Sequence, residues 1–197
     1  QKVKDNFYII NSSVPGNGFT GGNVSVFVTD AGVTVVDSKL AGYGPDIIAK
    51  IKAVTNKPIT TLINTHTHGD HTGSNEGFPA SVNIVAHENT KALMAKMDAF
   101  KGEKAKFLPK QTYKDMLAIG SGKDRVELHY FGTAHTGGDT VVYFPAPKIA
   151  ATAAAATRTF ASTATLMPTK PTVYENSEPI RKAIARPIAT HSVAFAV

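Results

Sequence analysis

Up to Val36 the apolar positions come in short β-rich runs, NFYII, NVSVFVTD and GVTVVD, cut by glycine and proline. From Asn23 to Val28 the run alternates, placing Val24, Val26 and Val28 on one side of a strand. Asp30-Ala31-Gly32 suits a hairpin turn, and PGNGFTGGN reads as a connecting loop. The period then changes. In GPDIIAKIKAVTNKP, Ile47, Ile48, Ile51 and Val54 recur at helical spacing, with Pro45 at the first helical position and Pro58 past the exit. Thr60 to Asn64 is a β-branched run that predicts a strand. The unit repeats as a strand over Asn83 to Ala86 and a helix carrying Leu93, Met94, Met97 and Phe100 on one face. DRVELHYFG and DTVVYFP predict two more strands. Strand runs mixed with strand–helix units predict an α/β fold with helices packed on sheet.

Composition narrows the chemistry. A chain of 197 residues is read as one domain, 1–197, able to bury roughly 70% of its unfolded surface without staples. There is no cysteine, so disulfides and thiolate zinc sites are excluded, and any metal must be held by His, Asp, Glu or water. No run of apolar residues is long enough to span a membrane. The chain opens at Gln1-Lys2-Val3, and the expectation is an exported bacterial protein whose leader was removed. The formal charge is +6, with much of the excess between Lys91 and Lys114. No aromatic stacking platform accompanies those lysines, so they are read as a solvated helix face rather than a nucleic-acid surface.

The densest chemistry lies in INTHTHGDHTGSN, residues 63–75. His66, His68, Asp70 and His71 fall within six positions, in a chain with seven histidines. Imidazole with carboxylate suits zinc and its first-row neighbours. In extended backbone His66 and His68 point to the same side and can grip one ion. Asp70 and His71 are neighbours and diverge, which favours a second, adjacent ion. A further histidine, His135 in GTAHTGGDT, lies in a turn between two strands, as expected of a third ligand. Three protein ligands plus water is how zinc is arranged for catalysis. His87, at a strand end, and His129, within a strand, are read as structural.

The motifs THTHGDH and GTAHTGGD, with the strand GVTVVDSKL ending at Asp37, resemble those of the metallo-β-lactamase-fold hydrolases. The resemblance runs from about Asn6 to Lys148. It implies an αββα sandwich, two sheets face to face with helices outside and metals at one sheet edge. It implies His66, His68 and His135 on one zinc, and Asp70 and His71 on a second. It also implies a hydrolase acting through hydroxide on the metal, since zinc can bring the pKa of water to about 7. Asp70 would orient that water and pass a proton to the leaving group. The histidine at position 71 is similar to the glyoxalase II type and to the histidine-rich β-lactamases. Diiron relatives usually carry glutamate where His68 stands.

The resemblance degrades after Lys148. The family's bridging aspartate would fall at Ala153-Ala154, and no carboxylate lies between Asp139 and Glu175. Ala150 to Thr165 is rich in alanine and threonine and lacks amphipathic order. It reads as an alanine helix, as a low-complexity tail, or as a frame error in the recorded chain. The family's last ligand would be His191, although its neighbours do not resemble the expected turn. The C-terminal part, 149–197, is therefore expected to be shortened or degenerate. Zinc is the expected cofactor, two ions, or one if the C-terminal ligands are missing. The reading is a zinc hydrolase of a small-molecule ester, thioester, lactone or β-lactam-type amide. The competing readings are a catalytically impaired metal-binding protein of the same fold and, ranked last, a metallo-nuclease.

Overall fold

The structure is a computed structural model that describes residues 1–14, 16, 18–152 and 195–196. In chain order the elements are β1 (Lys2–Lys4), β2 (Phe7–Ile10), β3 (Ser13–Val14), β4 (Gly18–Phe19), β5 (Val24–Val28), β6 (Val33–Val36), α1 (Gly44–Lys52), β7 (Ile59–Ile63) and α2 (Gly69–Thr72). Then come β8 (Asn83–His87), α3 (Glu88–Met94), β9 (Gln111–Tyr113), β10 (Met116–Ile119), β11 (Val126–Tyr130), β12 (Thr140–Phe144), β13 (Ile149–Ala151) and β14 (Phe195–Ala196). The first sheet has the order β1-β2-β5-β6-β7-β8-β9, and the second the order β10-β11-β12-β13-β14. β3, just before the glycine-rich segment that the sequence presents as a plain loop, pairs antiparallel with β4 within it.

The two-residue period of β5 and β6 builds the layers. Val24 and Val26 on β5 and Val33 and Val35 on β6 face one way and pack with Ile47 and Ile51 of α1. Phe27 and Val36 face the other way, into a second core that contains Leu128, Val142 and Phe144 of the opposite sheet. At its centre Phe144 meets Phe7 at 4.9 Å and Phe27 at 5.2 Å between ring centroids, both edge to face. Helix on sheet on sheet is the arrangement of a metallo-β-lactamase-type sandwich. The chain reverses from antiparallel to parallel pairing at β6–β7, because α1 crosses over between them. β7 and β8 are therefore central parallel strands, and the loop after β7 opens at the sheet edge.

The structure departs from the sequence reading at further places. Val54 is 43% exposed, because α1 stops at Lys52. The second helix is shorter than the spacing of its apolar residues predicts. α3 ends at Met94, Met97 is extended, and Phe100 closes a separate 3-10 turn. Its apolar residues still reach the interior, since Met94 and Phe100 are buried. The lysine-rich segment is consequently not one helix face. Lys101 pairs with Asp98 and Lys104 with Glu76, while Lys110 reaches back to the carbonyl of Ala80. Finally, Ala150 and Ala151 lie in a buried strand, not a helix. Ala153-Ala154 and the rest of the Ala/Thr run lie outside the described residues. No helix among the described residues is long and apolar enough to cross a membrane.

Candidate functional site

β7 delivers the histidines. Past Ile63 the chain leaves the sheet, and Asn64 begins a tightly bonded loop. Its backbone N–H donates to the carbonyl of Val85, and its side chain exchanges hydrogen bonds with Asn75 in both directions. Ser38 donates from its backbone to the carbonyl of His71 and from its hydroxyl to Asn75 Oδ1. These contacts close the segment from Thr65 to Thr72 into a compact turn that ends in α2.

Asp37 organises this turn. It is 4% exposed and has φ +65, a left-handed conformation that costs a non-glycine residue about 1 kcal/mol or more. In that pose its carboxylate accepts from the Thr65 N–H at 2.8 Å, from the Thr65 hydroxyl at 2.8 Å and from His71 Nδ1–H at 2.6 Å. Thr65 Oγ1, having given its proton to Asp37, accepts from His66 Nδ1–H at 3.1 Å. One carboxylate thus orients both rings, leaving Nε2 of His66 with a free lone pair and turning Nε2 of His71 toward Asp70. The sequence presents Asp37 only as a landmark at the end of a strand. Its role rests on a left-handed backbone that no local pattern signals.

His66, His68 and His135 converge. One ring nitrogen from each lies within 4.8 Å of the others. His135 Nε2 faces His68 Nδ1 at 3.0 Å. A tetrahedral zinc with Zn–N bonds near 2.0–2.1 Å sets its nitrogens ~3.4 Å apart, so the three imidazoles fit that ion. His66 is buried, while His68 and His135 are exposed, which leaves one side of the triad open to solvent. Burial lowers the pKa of His66 to about 3, with repulsion from His71, His68 and His135 adding to it and Asp37 opposing. His66 is therefore neutral, as a ligand must be.

Asp70 and His71 do not diverge as the sequence suggests. The turn of α2 brings His71 Nε2 to 3.3 Å from Asp70 Oδ2, and sets the His71 ring, tilted by 54°, with its centroid 4.2 Å from that of His66. The pair therefore adjoins the triad. Burial opposes the charged form of His71, but Asp37, by charge and hydrogen bond, and Asp70 outweigh it and raise the pKa. Gly21-Gly22 seals this side. Gly22 N–H donates to the carbonyl of Asp70, and a Cβ on Gly22 would lie 2.4 Å from the His71 ring. His191 lies outside the described residues. His129 bonds Glu127 away from the cluster, and His87 caps α3 by accepting from the Asn89 N–H.

The profile of the metallo-beta-lactamase superfamily matches residues 17–156. The chain is 28% identical over 156 residues to a metallo-beta-lactamase type 2 of Elizabethkingia meningoseptica, an alignment covering 76% of this chain and 58% of that one. It is 34% identical over 91 residues to the alpha subunit of a 2,4-dinitroanisole O-demethylase of Nocardioides sp. (strain JS1661), covering 45% of this chain and 26% of that one. It thus spans little more than half the length of the first relative and about a quarter of the second. Its fold is similar to that of a metallo-beta-lactamase from Pontibacter korlensis, with TM-score 0.65, 23% identity, and 77% of this chain and 68% of that one covered. With the sandwich, the histidine turn and a profile match over most of its length, the chain belongs to the metallo-beta-lactamase superfamily.

Proposed function

We propose that the chain is a zinc-dependent hydrolase of an ester, thioester, lactone or β-lactam-type amide. The observation that carries this reading is the convergence of three imidazoles from two different sheets, within 4.8 Å, on a solvent-open edge. His66, His68 and His135 would hold one zinc. Asp70 and His71 would supply two donors to a second, completed by a ligand such as His191. Zinc bound there supplies a Lewis acid for the substrate carbonyl and a water acidic enough to attack near neutral pH. Asp70, half-buried beside His71, accepts a hydrogen bond from the attacking water, takes its proton on a carboxylate oxygen and returns it to the leaving group. Asp37 keeps Nε2 of His66 and of His71 aimed into the site, holding Nδ1 of His71 directly and Nδ1 of His66 through the Thr65 hydroxyl.

The test measures bound zinc and hydrolysis of a chromogenic cephalosporin and an acyl thioester. His66→Ala and His135→Ala should abolish zinc at the triad and all turnover, while His129→Ala leaves both intact. Hydrolysis that survives His66→Ala overturns the assignment. A second reading, a metal-binding protein without turnover, is favoured by one observation: among the described residues only the triad brings three ligand groups together. One zinc per chain and no turnover on either substrate would establish it.

A further inference from the structure

His135 stands apart from its two partners. His66 and His68 follow β7 in the first sheet, whereas His135 rides the turn between β11 and β12 in the second. Its imidazole nevertheless comes to 3.0 Å from that of His68. A backbone bond from Thr140 N–H to the carbonyl of Thr65 ties down the far end of the turn. The turn itself is braced from within, where the Thr136 N–H and hydroxyl donate to Asp139 at 2.7 and 3.0 Å.

Between these two ties the turn is gripped from outside by side chains that touch no ligand atom. Asn89 Nδ2, on α3, donates to the carbonyl of Gly137 at 2.8 Å. Thr90 Oγ1, the next residue of α3, donates to the carbonyl of Gly138 at 2.7 Å. Tyr130 Oη, at the end of β11, donates to Gly137 at 3.1 Å. The fit leaves no slack, since a Cβ on Gly138 would sit 2.4 Å from Thr90 Oγ1 and 2.5 Å from its backbone nitrogen. The gripping residues are themselves held by His87. Its Nδ1 accepts from the Asn89 N–H, its Nε2–H donates to the carbonyl of Lys114 at 2.7 Å, and its ring stacks on Tyr130 at 3.8 Å. The start of α3 follows β8, so the bonds from Asn89 and Thr90 span from one sheet to the other, while Tyr130 braces the turn from its own sheet and meets the first through the His87 ring.

We propose that Asn89 and Thr90, which hold the His135 turn against the first sheet, and Tyr130, which holds it from β11 while stacked on His87, are positioning residues that set the zinc affinity of the three-histidine site. The inference rests on reading that triad as a zinc site. Without the grip the turn keeps its internal Thr136–Asp139 brace but loses its placement relative to His66 and His68. The third imidazole is then no longer delivered at ligand distance before the ion arrives.

The experiment is zinc affinity of the full chain, by competition with a chromogenic chelator, alongside the unfolding midpoint of the metal-free protein. Thr90→Val keeps shape and removes the donor, Tyr130→Phe removes the hydroxyl, and Thr90→Ser restores the Thr90 bond. The Val and Phe variants should each weaken zinc about 10-fold, and together up to about 100-fold, with Ser returning near wild-type affinity. In the cobalt-substituted protein the visible absorbance should weaken in parallel as the third imidazole leaves the ion. A lowered midpoint with unchanged zinc affinity would show a merely structural role and overturn the proposal. Failure of the zinc reading looks different: wild type takes up no zinc, or His66→Ala binds as tightly as wild type, and either result overturns both.

Discussion

Lys39 offers the sharpest physical test of how the site is built. It lies two residues past Asp37, also left-handed at φ +64, and is 1% exposed. Its ammonium donates to the carbonyl of Asn11 at 2.6 Å, to Thr20 Oγ1 at 2.8 Å and to the carbonyl of Gly22 at 3.2 Å. It thus staples both ends of the β3–β4 hairpin beside the glycine pair that abuts His71. All three partners are neutral. Burial pulls its pKa from 10.5 to about 8, with Lys50 adding to the effect and Asp46 opposing it. Below about pH 8 both folded and unfolded chains carry the charge, and the folded one bears the full desolvation cost. Above pH 10.5 neither carries it. In between, the unfolded chain holds the extra proton, so this lysine makes stability rise with pH. At about 1.4 kcal/mol per tenfold, the rise is about 3 kcal/mol. Lys39→Met removes the charge and the titration together. Comparing the two proteins at each pH isolates the contribution of Lys39 from that of the groups they share. Urea unfolding of wild type and variant, followed from pH 8 to 10.5, should show the gap moving in favour of wild type by that amount. A gap that stays constant, or moves toward the variant, refutes the picture of a buried, unpaired ammonium.

Other perturbations probe neighbouring contacts. Gly22→Ala forces a methyl against the His71 ring, which Asp37 prevents from moving, and should cost about 1–3 kcal/mol in chemical denaturation. Phe144→Ala empties the aromatic centre between the sheets and should cost about 3–5 kcal/mol. In the metal-free protein the raised pKa of His71 gives stability that is full below pH 6.5 and is lost as pH rises through the folded value. Asp37→Asn should remove that slope and lower the His71 pKa, as read by NMR titration of the imidazole.

Much of this was legible because it is written in short-range pattern. Val24 and Val26 face α1 as their alternation predicts, and Ile47 and Ile51 meet them from the helix. The site was legible for a chemical reason: His66, His68, Asp70 and His71 within six positions serve few other purposes, and His135 in a turn between two strands was the expected third ligand. What failed depends on contacts distant in sequence or on backbone that breaks its own preferences. Asp37 and Lys39 act from left-handed conformations stabilised by Thr65, His71, Asn11 and Thr20, and no window of sequence contains those partners together. Asp70 and His71 converge because α2 winds them, whereas the sequence reading had these neighbours diverge. The helix predicted past Met94 is broken at Met97, whose sulfur accepts a hydrogen bond from the Thr67 hydroxyl beside His68. Tertiary contact there outweighs helical periodicity.

The three imidazoles come from strands that belong to separate sheets, and so an ion among them would rivet the two halves of the sandwich. Whatever free energy the ion releases on binding is then subtracted from the tendency of those halves to part. With an ion bound there, the stability of the folded chain would depend on how much free metal surrounds it, and a chelator would act on the architecture as much as on the chemistry.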